Sequence, residues 1–384
     1  LRQTVSQFGY QGTLAWSVEL DRQQNDGVRP NHELERFEAS IQLKQQLTLR
    51  DSVLGVVRLL DFDAEDNFQY TQPSREYHPD YRFEEEGLPG MLLAGYHREW
   101  SPGVHTTLLA GRLADERHFT DEHQEFPILG TMGDMVVAPF PDPAIMTYDF
   151  EHNFEVYSVE LNQIYADHHN TLNLGGRYQF GEFSAHSQMQ PSEQWMERSR
   201  YTLSPDILNN EFTEDMRRGS LYAYYTRTFL DTLHVTAGVA YNTVTFPRND
   251  RNLPVVEGQD TEAQWSPKAA LVWRPWNRAT LRAAYSRTLG GVNFDESVRL
   301  EPAQLAGFGQ AYRSVIPESL VGSVAAPTFE VMGLAVDFKL PCNIYYGLEV
   351  ERIDSEVDQA LGAITVPPQS MTLGANSRVR ESID

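Results

Sequence analysis

Apolar and polar residues alternate with a period of two along most of the chain. In the stretch TLAWSVELD, Leu14, Trp16, Val18 and Leu20 fall on one face of an extended backbone, and Glu19 falls on the other. The stretches FEASIQLK, TLNLGGRYQF, LHVTAGVAYN and IYYGLEVER repeat the pattern. This period is typical of β-strands whose two faces meet different surroundings. The chain is therefore predicted to be all-β.

The pattern predicts about thirteen strands joined by a regular series of connections. The strands lie near residues 11–21, 35–45, 52–62, 90–99, 104–114, 154–164, 171–181, 219–229, 232–242, 266–273, 279–288, 329–339 and 344–353. Long and short connections alternate, and the long ones span residues 22–34, 63–89, 115–153, 182–218, 243–265 and 289–328. Transmembrane barrels join their antiparallel strands by short periplasmic turns and longer extracellular loops. We therefore expect a transmembrane antiparallel up-and-down β-barrel whose long loops are extracellular.

The whole chain, residues 1–384, is predicted to form a single barrel domain. An odd number of strands and a C-terminal stretch RVRESID without an amphipathic strand predict that the barrel continues past Asp384. The full barrel is then expected to have about 14 strands or more, because an open sheet edge in lipid leaves backbone groups without partners.

In such a barrel the apolar face contacts lipid and the polar face lines the lumen. Strand parity predicts a lumen lining with charges of both signs: Glu19, Glu38, Lys44, Arg58, Arg112, Glu160, Arg177, Lys268, Arg282, Asp337, Lys339, Glu349 and Glu351. The mixture predicts no ion selectivity. It is equally compatible with a substrate path and with a lumen filled by paired charges.

Aromatic residues near the predicted strand ends are candidates for the belts that mark membrane interfaces. They are Trp16, Tyr96, Trp100, Tyr157, Tyr178, Tyr241, Trp273, Trp276, Tyr285 and Tyr346. The alternative interpretation is that these rings fill the core of a soluble β-sandwich or propeller.

Composition excludes some classes of function. Acidic residues outnumber basic ones by 54 to 31, and the formal charge is -23. Nucleic acid is therefore not an expected partner, because phosphate binding needs a basic surface. Cys342 is the one cysteine, so neither an intrachain disulfide nor a cysteine-rich metal site is expected.

Few residues suggest chemistry, and no enzyme is predicted. The run Asp167, His168 and His169 falls in a predicted short turn, where exposed turn residues are expected in place of an active site. Asp61, Asp63 and Glu65 have a spacing that offers oxygen ligands to Ca²⁺, although the glycine and distal glutamate of an EF-hand loop are missing. A solvated acidic loop is the alternative, and no other cofactor is expected.

The stretch TMGDMVVAPFPDPAIM, residues 131–146, is apolar for an extracellular loop. It is compatible with a constriction folded into the barrel, with packing against neighbouring loops, or with a partner-binding surface.

Two stretches carry a resemblance to a known family. SPKAALVWRPWNRATLRAAYSR, residues 266–287, resembles barrel hairpins of TonB-dependent outer-membrane receptors, in which S-P-K-x-G-L-x-W-x-P is followed by T-L-R-A-x-Y-x-R. LEPAQLAGFGQ, residues 300–310, resembles a segment of outer-membrane proteins that join a periplasmic tetratricopeptide array to a similar barrel. The resemblance implies a bacterial outer-membrane location, a lipid environment, and either the TonB system or a periplasmic helical-repeat domain as partner.

Three functions are open at this point. The chain is expected to be an outer-membrane transporter or pore that moves a solute or polymer. The alternatives are the barrel part of a polysaccharide export assembly and a filled barrel with a structural or surface-interaction role.

Overall fold

The computed structural model describes residues 1–67, 80–126, 128–132, 135–137, 144–193, 196, 202–250, 255–291, 299–311, 326–340, 344–366 and 372–383. The strands are β1 (Arg2–Gln11), β2 (Leu14–Asn25), β3 (Leu34–Gln46), β4 (Asp51–Ala64), β5 (Arg82–Ser101), β6 (Val104–Phe126), β7 (Ile128–Met132), β8 (Met135–Val137), β9 (Ala144–Ala166), β10 (Asn170–Pro191), β11 (Thr202–Leu203), β12 (Asn209–Phe229), β13 (Leu233–Asn249), β14 (Val256–Trp276), β15 (Ala279–Leu289), β16 (Gln304–Leu305), β17 (Phe308–Gly309), β18 (Thr328–Lys339), β19 (Tyr345–Val366) and β20 (Thr372–Ile383). A short helix, α1, spans Pro205–Leu208. Within the described residues, no helix has the length and hydropathy needed to cross a membrane.

Fourteen strands form one antiparallel sheet in which each strand pairs with the next long strand along the chain. The order is β1 to β6, then β9, β10, β12 to β15, β18 and β19. Strand β20 pairs with the second half of β19, from Ser355 onward. No pairing between β1 and β19 occurs among the described residues. The all-β, up-and-down antiparallel prediction is confirmed.

The connections of this sheet fall into two sets at its two ends. At one end, here called the turn end, neighbouring strands are joined by turns such as residues 12–13, 102–103, 167–169 and 277–278. At the other, the loop end, the connections are longer, and the one between β15 and β18 covers residues 290–327. The alternation predicted from the sequence therefore holds in the sheet. That the loop end is extracellular stays a prediction.

The sequence pattern missed the first strand. The prediction starts a strand near residue 11, whereas β1 and β2 form a hairpin closed by Gly12, whose φ of 61° suits the tight turn. The outward-facing positions of β1 include Gln3, Gln7 and Gly9, so the apolar alternation that marks the other strands is absent. Backbone pairing with β2 holds this strand in the sheet.

Several strands are about twice as long as predicted. β6, β9 and β10 have 23, 23 and 22 residues and extend into the predicted loops 115–153 and 182–218. In the extension of β9, Tyr148, Phe150 and His152 are buried on the inner face and the positions between them are polar, so the outer face has no apolar stripe there. The loops are correspondingly shorter than predicted.

The exposed face of the sheet is apolar, and the covered face carries both charged side chains and apolar clusters. Leu221, Leu334 and Leu348 are 66%, 66% and 67% exposed, while Glu160 and Lys268 are 1% and 4% exposed. Apolar burial is concentrated in three clusters on the covered side, the largest of which lies toward the loop end and includes Phe126, Tyr148 and Phe150. The leucines on the exposed face and the charges buried on the covered face distinguish this sheet from a soluble sandwich, whose exposed faces are polar.

Candidate functional site: the inner face and the outer belts

The covered side of the sheet, here called the inner face, is defined by the register of its strands. Glu160 on β9 lies opposite Arg177 on β10, and Arg177 lies opposite Ser220 on β12. The same parity continues through Lys268 on β14, which pairs with Ser286 on β15. Directly opposed residues point to the same side of a sheet, so charged groups from many strands converge on one surface.

Twelve of the thirteen residues predicted to line a lumen stand on this inner face. They are Glu19, Glu38, Lys44, Arg58, Glu160, Arg177, Lys268, Arg282, Asp337, Lys339, Glu349 and Glu351. That the inner face bounds a lumen stays a prediction.

Arg112 is the exception, and its assignment to the lumen is wrong. Its position in β6 is opposite Tyr157 of β9 and Leu92 of β5, which are both exposed on the outer face. Arg112 donates to Glu155 over 2.6 Å, and the hydroxyl of Tyr157 donates to the same carboxylate oxygen over 2.6 Å. A local ion pair with an aromatic neighbour keeps this charge on the outer side.

Charged side chains on the inner face pair with one another. The guanidinium of Arg282 donates to Asp337 over 2.9 Å and to Glu349 over 3.0 Å. On the far part of the sheet, Glu38 forms ion pairs with Arg36 and Arg58. Pairing of opposite charges neutralises the surface locally, which agrees with the mixed signs read from the sequence.

A segment from the connection between β15 and β18 covers part of the inner face. Residues 299–311, here called the inner segment, belong to the connection that was predicted as the extracellular loop 289–328, and that this connection is extracellular stays a prediction. Both β16 and β17 belong to this segment and form a small hairpin, with φ of 51° at Ala306 and 91° at Gly307 in its turn. Leu305 and Phe308 are 5% and 2% exposed, so the hairpin is buried against the sheet.

Glu160 holds the first end of the inner segment. Its carboxylate accepts the backbone N–H groups of Leu300 and Glu301 over 2.9 and 3.0 Å. It also accepts the hydroxyl of Tyr222 over 3.0 Å. The side chain of Asn162 donates to the carbonyl of Leu300 over 3.1 Å. A buried carboxylate requires such donors, because an unpartnered charge away from water is costly.

Two further contacts extend the attachment across the sheet. The hydroxyl of Tyr224 donates to Glu301 over 2.7 Å, and the amide of Gln310 donates to that hydroxyl oxygen over 3.1 Å. At the hairpin tip, Arg282 donates to the carbonyl of Ala306 over 3.3 Å and lies over the ring of Phe308. The inner segment therefore contacts strands from β9 to β18.

The sequence pattern missed Tyr222, Tyr224, Glu301, Phe308 and Gln310 as parts of this arrangement. A signal was present, because Tyr222 and Tyr224 are large aromatic residues at positions whose parity is otherwise polar. The positions of Glu301, Phe308 and Gln310 carry no such signal, since only folding back of the connection brings them to the sheet.

The predicted interface aromatics stand on the outer face or at the turn end. Trp100, Tyr178, Trp276 and Tyr346 are between 52% and 60% exposed. Toward the loop end, Tyr241 packs on Trp265 with ring centroids 4.8 Å apart, and near the turn end Phe338 stacks on Tyr346 at 5.2 Å. On β14, Trp265 lies opposite Tyr241, and Trp273 follows eight residues later near the turn end, which is roughly 26 Å of strand. That spacing suits the apolar band of an outer-membrane barrel.

The predicted calcium ligands do not converge. Asp61 and Asp63 lie in β4, and the carboxylate of Asp63 pairs with Arg82 over 2.6 Å. The carboxylate of Glu65 accepts the backbone N–H of Glu33 over 2.8 Å. In the part of the chain that the structure describes, no group of three acidic, histidine or cysteine side chains is arranged to hold a metal ion.

Asp167 stabilises the turn between β9 and β10. Its carboxylate accepts the backbone N–H groups of His169 and Asn170 over 2.8 and 2.7 Å. These bonds lower the pKa of Asp167 below its ordinary value, and the backbone N–H of His169 contributes most to that shift. The expectation that Asp167, His168 and His169 are turn residues agrees with this geometry.

The apolar stretch 131–146 lies only in part within the described residues. Strand β7 pairs in parallel with β19, Ile128 opposite Ile364, and Ala144 and Met146 are fully buried in the largest apolar cluster. For the described residues, packing against neighbouring elements is therefore what the structure favours. Residues 133–134 and 138–143 lie outside them.

Solved structures of outer-membrane receptors have a similar fold. The chain superposes on the ferric yersiniabactin uptake receptor FyuA from Yersinia pestis with a TM-score of 0.57 at 10% identity, covering 95% of this chain and 53% of that one. The ferric citrate transporter FecA gives 0.57 at 11%, covering 99% and 52%. BauA, the ferric preacinetobactin receptor from Acinetobacter baumannii, gives 0.55 at 9%, covering 98% and 54%.

The chain spans about half the length of these receptors. At such identities the likeness extends to the fold alone. A search of curated protein sequences found no match.

A family model settles the relationship independently of the fold. The model described as TonB dependent receptor-like, beta-barrel matches residues 4–313. The match includes the hairpin of β14 and β15, in which Trp273 lies opposite Leu281 on the outer face and Lys268 and Arg282 stand on the inner face. The chain belongs to the TonB-dependent receptor-like β-barrel family of the bacterial outer membrane.

Proposed function

We propose that this chain is the barrel of a transporter that moves a solute across the outer membrane. The observation that carries the proposal is the inverted sheet, with exposed leucines between aromatic belts outside and buried charges such as Glu160 and Arg177 inside. A polar inner surface has a use in lipid only if water or solute reaches it, or if it binds other groups. Membership of a receptor family supports the first of these.

The TonB system is the proposed energy-coupling partner, because the family and the similar solved structures are receptors of this type. The names of those receptors suggest iron chelates as one class of solute. A periplasmic helical-repeat domain and a role in polysaccharide export stay predictions that rest on the stretch at residues 300–310.

The test is passage through the full-length protein in liposomes and planar bilayers. Swelling of liposomes in sugars of increasing size, or conductance steps above the lipid background, is the expected result for the wild type or for a variant whose residues 299–311 are replaced by a glycine–serine linker. If both proteins insert, show heat-modifiable migration in detergent gels and yet pass nothing, the proposal is contradicted.

A filled structural barrel is the second candidate, and the inner segment favours it. Leu305 and Phe308 are packed against the inner face at rest. Under this alternative, replacing residues 299–311 by a glycine–serine linker leaves the barrel closed, whereas a transporter opens.

A further inference from the structure

The inner segment lies at the depth of the apolar band. Its anchor Glu160 is flanked on β9 by Val159 and Leu161, which are 47% and 52% exposed on the outer face. Gly333, which contacts Phe308 from β18, is followed by Leu334, which is 66% exposed. At this level the inner segment covers the inner face of strands between β9 and β18.

The inner segment is attached to the sheet mainly by hydrogen bonds to buried polar side chains of the strands. Glu160 is 1% exposed, and its carboxylate accepts three hydrogen bonds. Two come from backbone N–H groups of the inner segment and one from the hydroxyl of Tyr222. Tyr222 and Tyr224 are each 4% exposed and direct their hydroxyls to Glu160 and Glu301. Hydrogen bonds to a buried carboxylate are strong but directional. They therefore hold the inner segment in one position, and they break together when the segment moves away.

The opposite side of the segment is a close steric fit. A Cβ added at Gly333 would overlap the ring of Phe308, so the ring lies directly on the backbone of β18. The guanidinium of Arg282 lies 5.4 Å from the centre of the same ring and is itself held by Asp337 and Glu349. Phe308 is thus clamped between a strand and an ion-paired arginine.

From these contacts we propose that the inner segment is an autoinhibitory plug formed by the barrel's own chain. It closes the passage at rest, and solute crosses only when the segment leaves the Glu160 and Phe308 contacts. This inference rests on the proposed transport function. It assigns Glu160 and Tyr222 as positioning residues of the closed state.

The test compares substitutions in the segment with matched changes that touch nothing. Leu300→Pro removes one N–H donor to Glu160, and Phe308→Ala empties the contact on Gly333; neither alters the barrel wall. Gly309→Ala is the control within the hairpin, because a Cβ there meets no atom within 4 Å. Leu221→Val is the control on the wall, since Leu221 is 66% exposed on the outer face. The full-length protein is measured in planar bilayers, with heat-modifiable migration as the check of folding.

Leu300→Pro and Phe308→Ala are expected to raise the open probability roughly tenfold, the shift that follows from losing one strong contact of the closed state. Gly309→Ala and Leu221→Val are expected to match the wild type. Folded variants that conduct no more than the wild type would overturn the plug.

A glycine–serine replacement of residues 299–311 separates the two proposals. If it conducts while the wild type is closed, both proposals are supported. If it conducts no better than a wild type that is already open, transport stands and the plug is wrong. If neither passes current, transport itself is wrong and the plug falls with it.

Discussion

At the scale of single residues, the inner face depends on a few exact fits. Gly333 is the clearest, because the absence of a side chain is what admits the ring of Phe308. Glu160 depends on donors that come from 140 and 141 residues away in the chain. Single substitutions at such positions act on the inner segment as well as on the strand that carries them.

Gly333→Ala is expected to lower the unfolding free energy by about 1–3 kcal/mol, the usual cost of forcing a methyl group into a packed site. Gly309→Ala, in open space at the end of the same hairpin, is expected to be close to neutral. Denaturant unfolding in detergent micelles measures both. Equal midpoints for the two variants would show that Phe308 does not lie on Gly333.

At the scale of elements, the strands continue past the apolar band and are tied together there by charge. His118 on β6 lies between Glu84 of β5, at 3.4 Å, and Asp149 of β9, at 3.2 Å. Partial burial lowers the pKa of His118, but the two carboxylates outweigh it and the pKa is raised above 6.5. The cation therefore joins three strands near the loop end.

Because the folded pKa of His118 is raised, its contribution to stability is complete below pH 6.5 and is lost as the pH rises through the folded value. The melting temperature of the wild type, relative to His118→Gln, is expected to be higher at pH 5.5 and to converge by pH 8.5. Scanning calorimetry at a series of pH values measures this difference. His168→Gln, in the turn after Asp167, serves as the control, and the same pH dependence in that variant would contradict the assignment.

At the scale of the whole molecule, the apolar face of the sheet is the outer one, toward lipid, and the charged side chains are on the inner face. Leu334 on the outer face and Leu54 on the inner face are 66% and 38% exposed, so an exposed leucine is found on both sides. The two leucines differ in their surroundings: lipid is expected around Leu334, and water or polar groups around Leu54.

Leu334→Arg is expected to destabilise the barrel in lipid by about 2–4 kcal/mol, the cost of a charge near the middle of the bilayer. Leu54→Arg, the same change on the inner face, is expected to cost much less because water or polar groups surround it. Unfolding in lipid vesicles measures the two values. A Leu334→Arg variant as stable as Leu54→Arg would place β18 outside the membrane.

Most of the sheet and part of the site could be predicted from the chain. Twelve of the thirteen predicted inner-face residues share one face, because parity is a local property that a strand cannot alter without slipping its register. Arg112 stands on the outer face although it is charged, because the neighbouring Glu155 accepts hydrogen bonds from it and from Tyr157 there. Strand β1 was missed because Val5 is the one apolar residue among its outer positions Gln3, Val5, Gln7 and Gly9.

The sequence by itself determined the strands, their order and which side chains share a face, since period-two alternation and turn spacing act between neighbours in the chain. Only the tertiary structure decided that residues 299–311 leave the loop end and pack on the inner face. That choice depends on Glu160, Tyr222 and Gly333, which lie on other strands and become neighbours of the segment only when the sheet forms. Contacts between distant parts of the chain leave no periodic pattern in the sequence, so local patterns do not predict them.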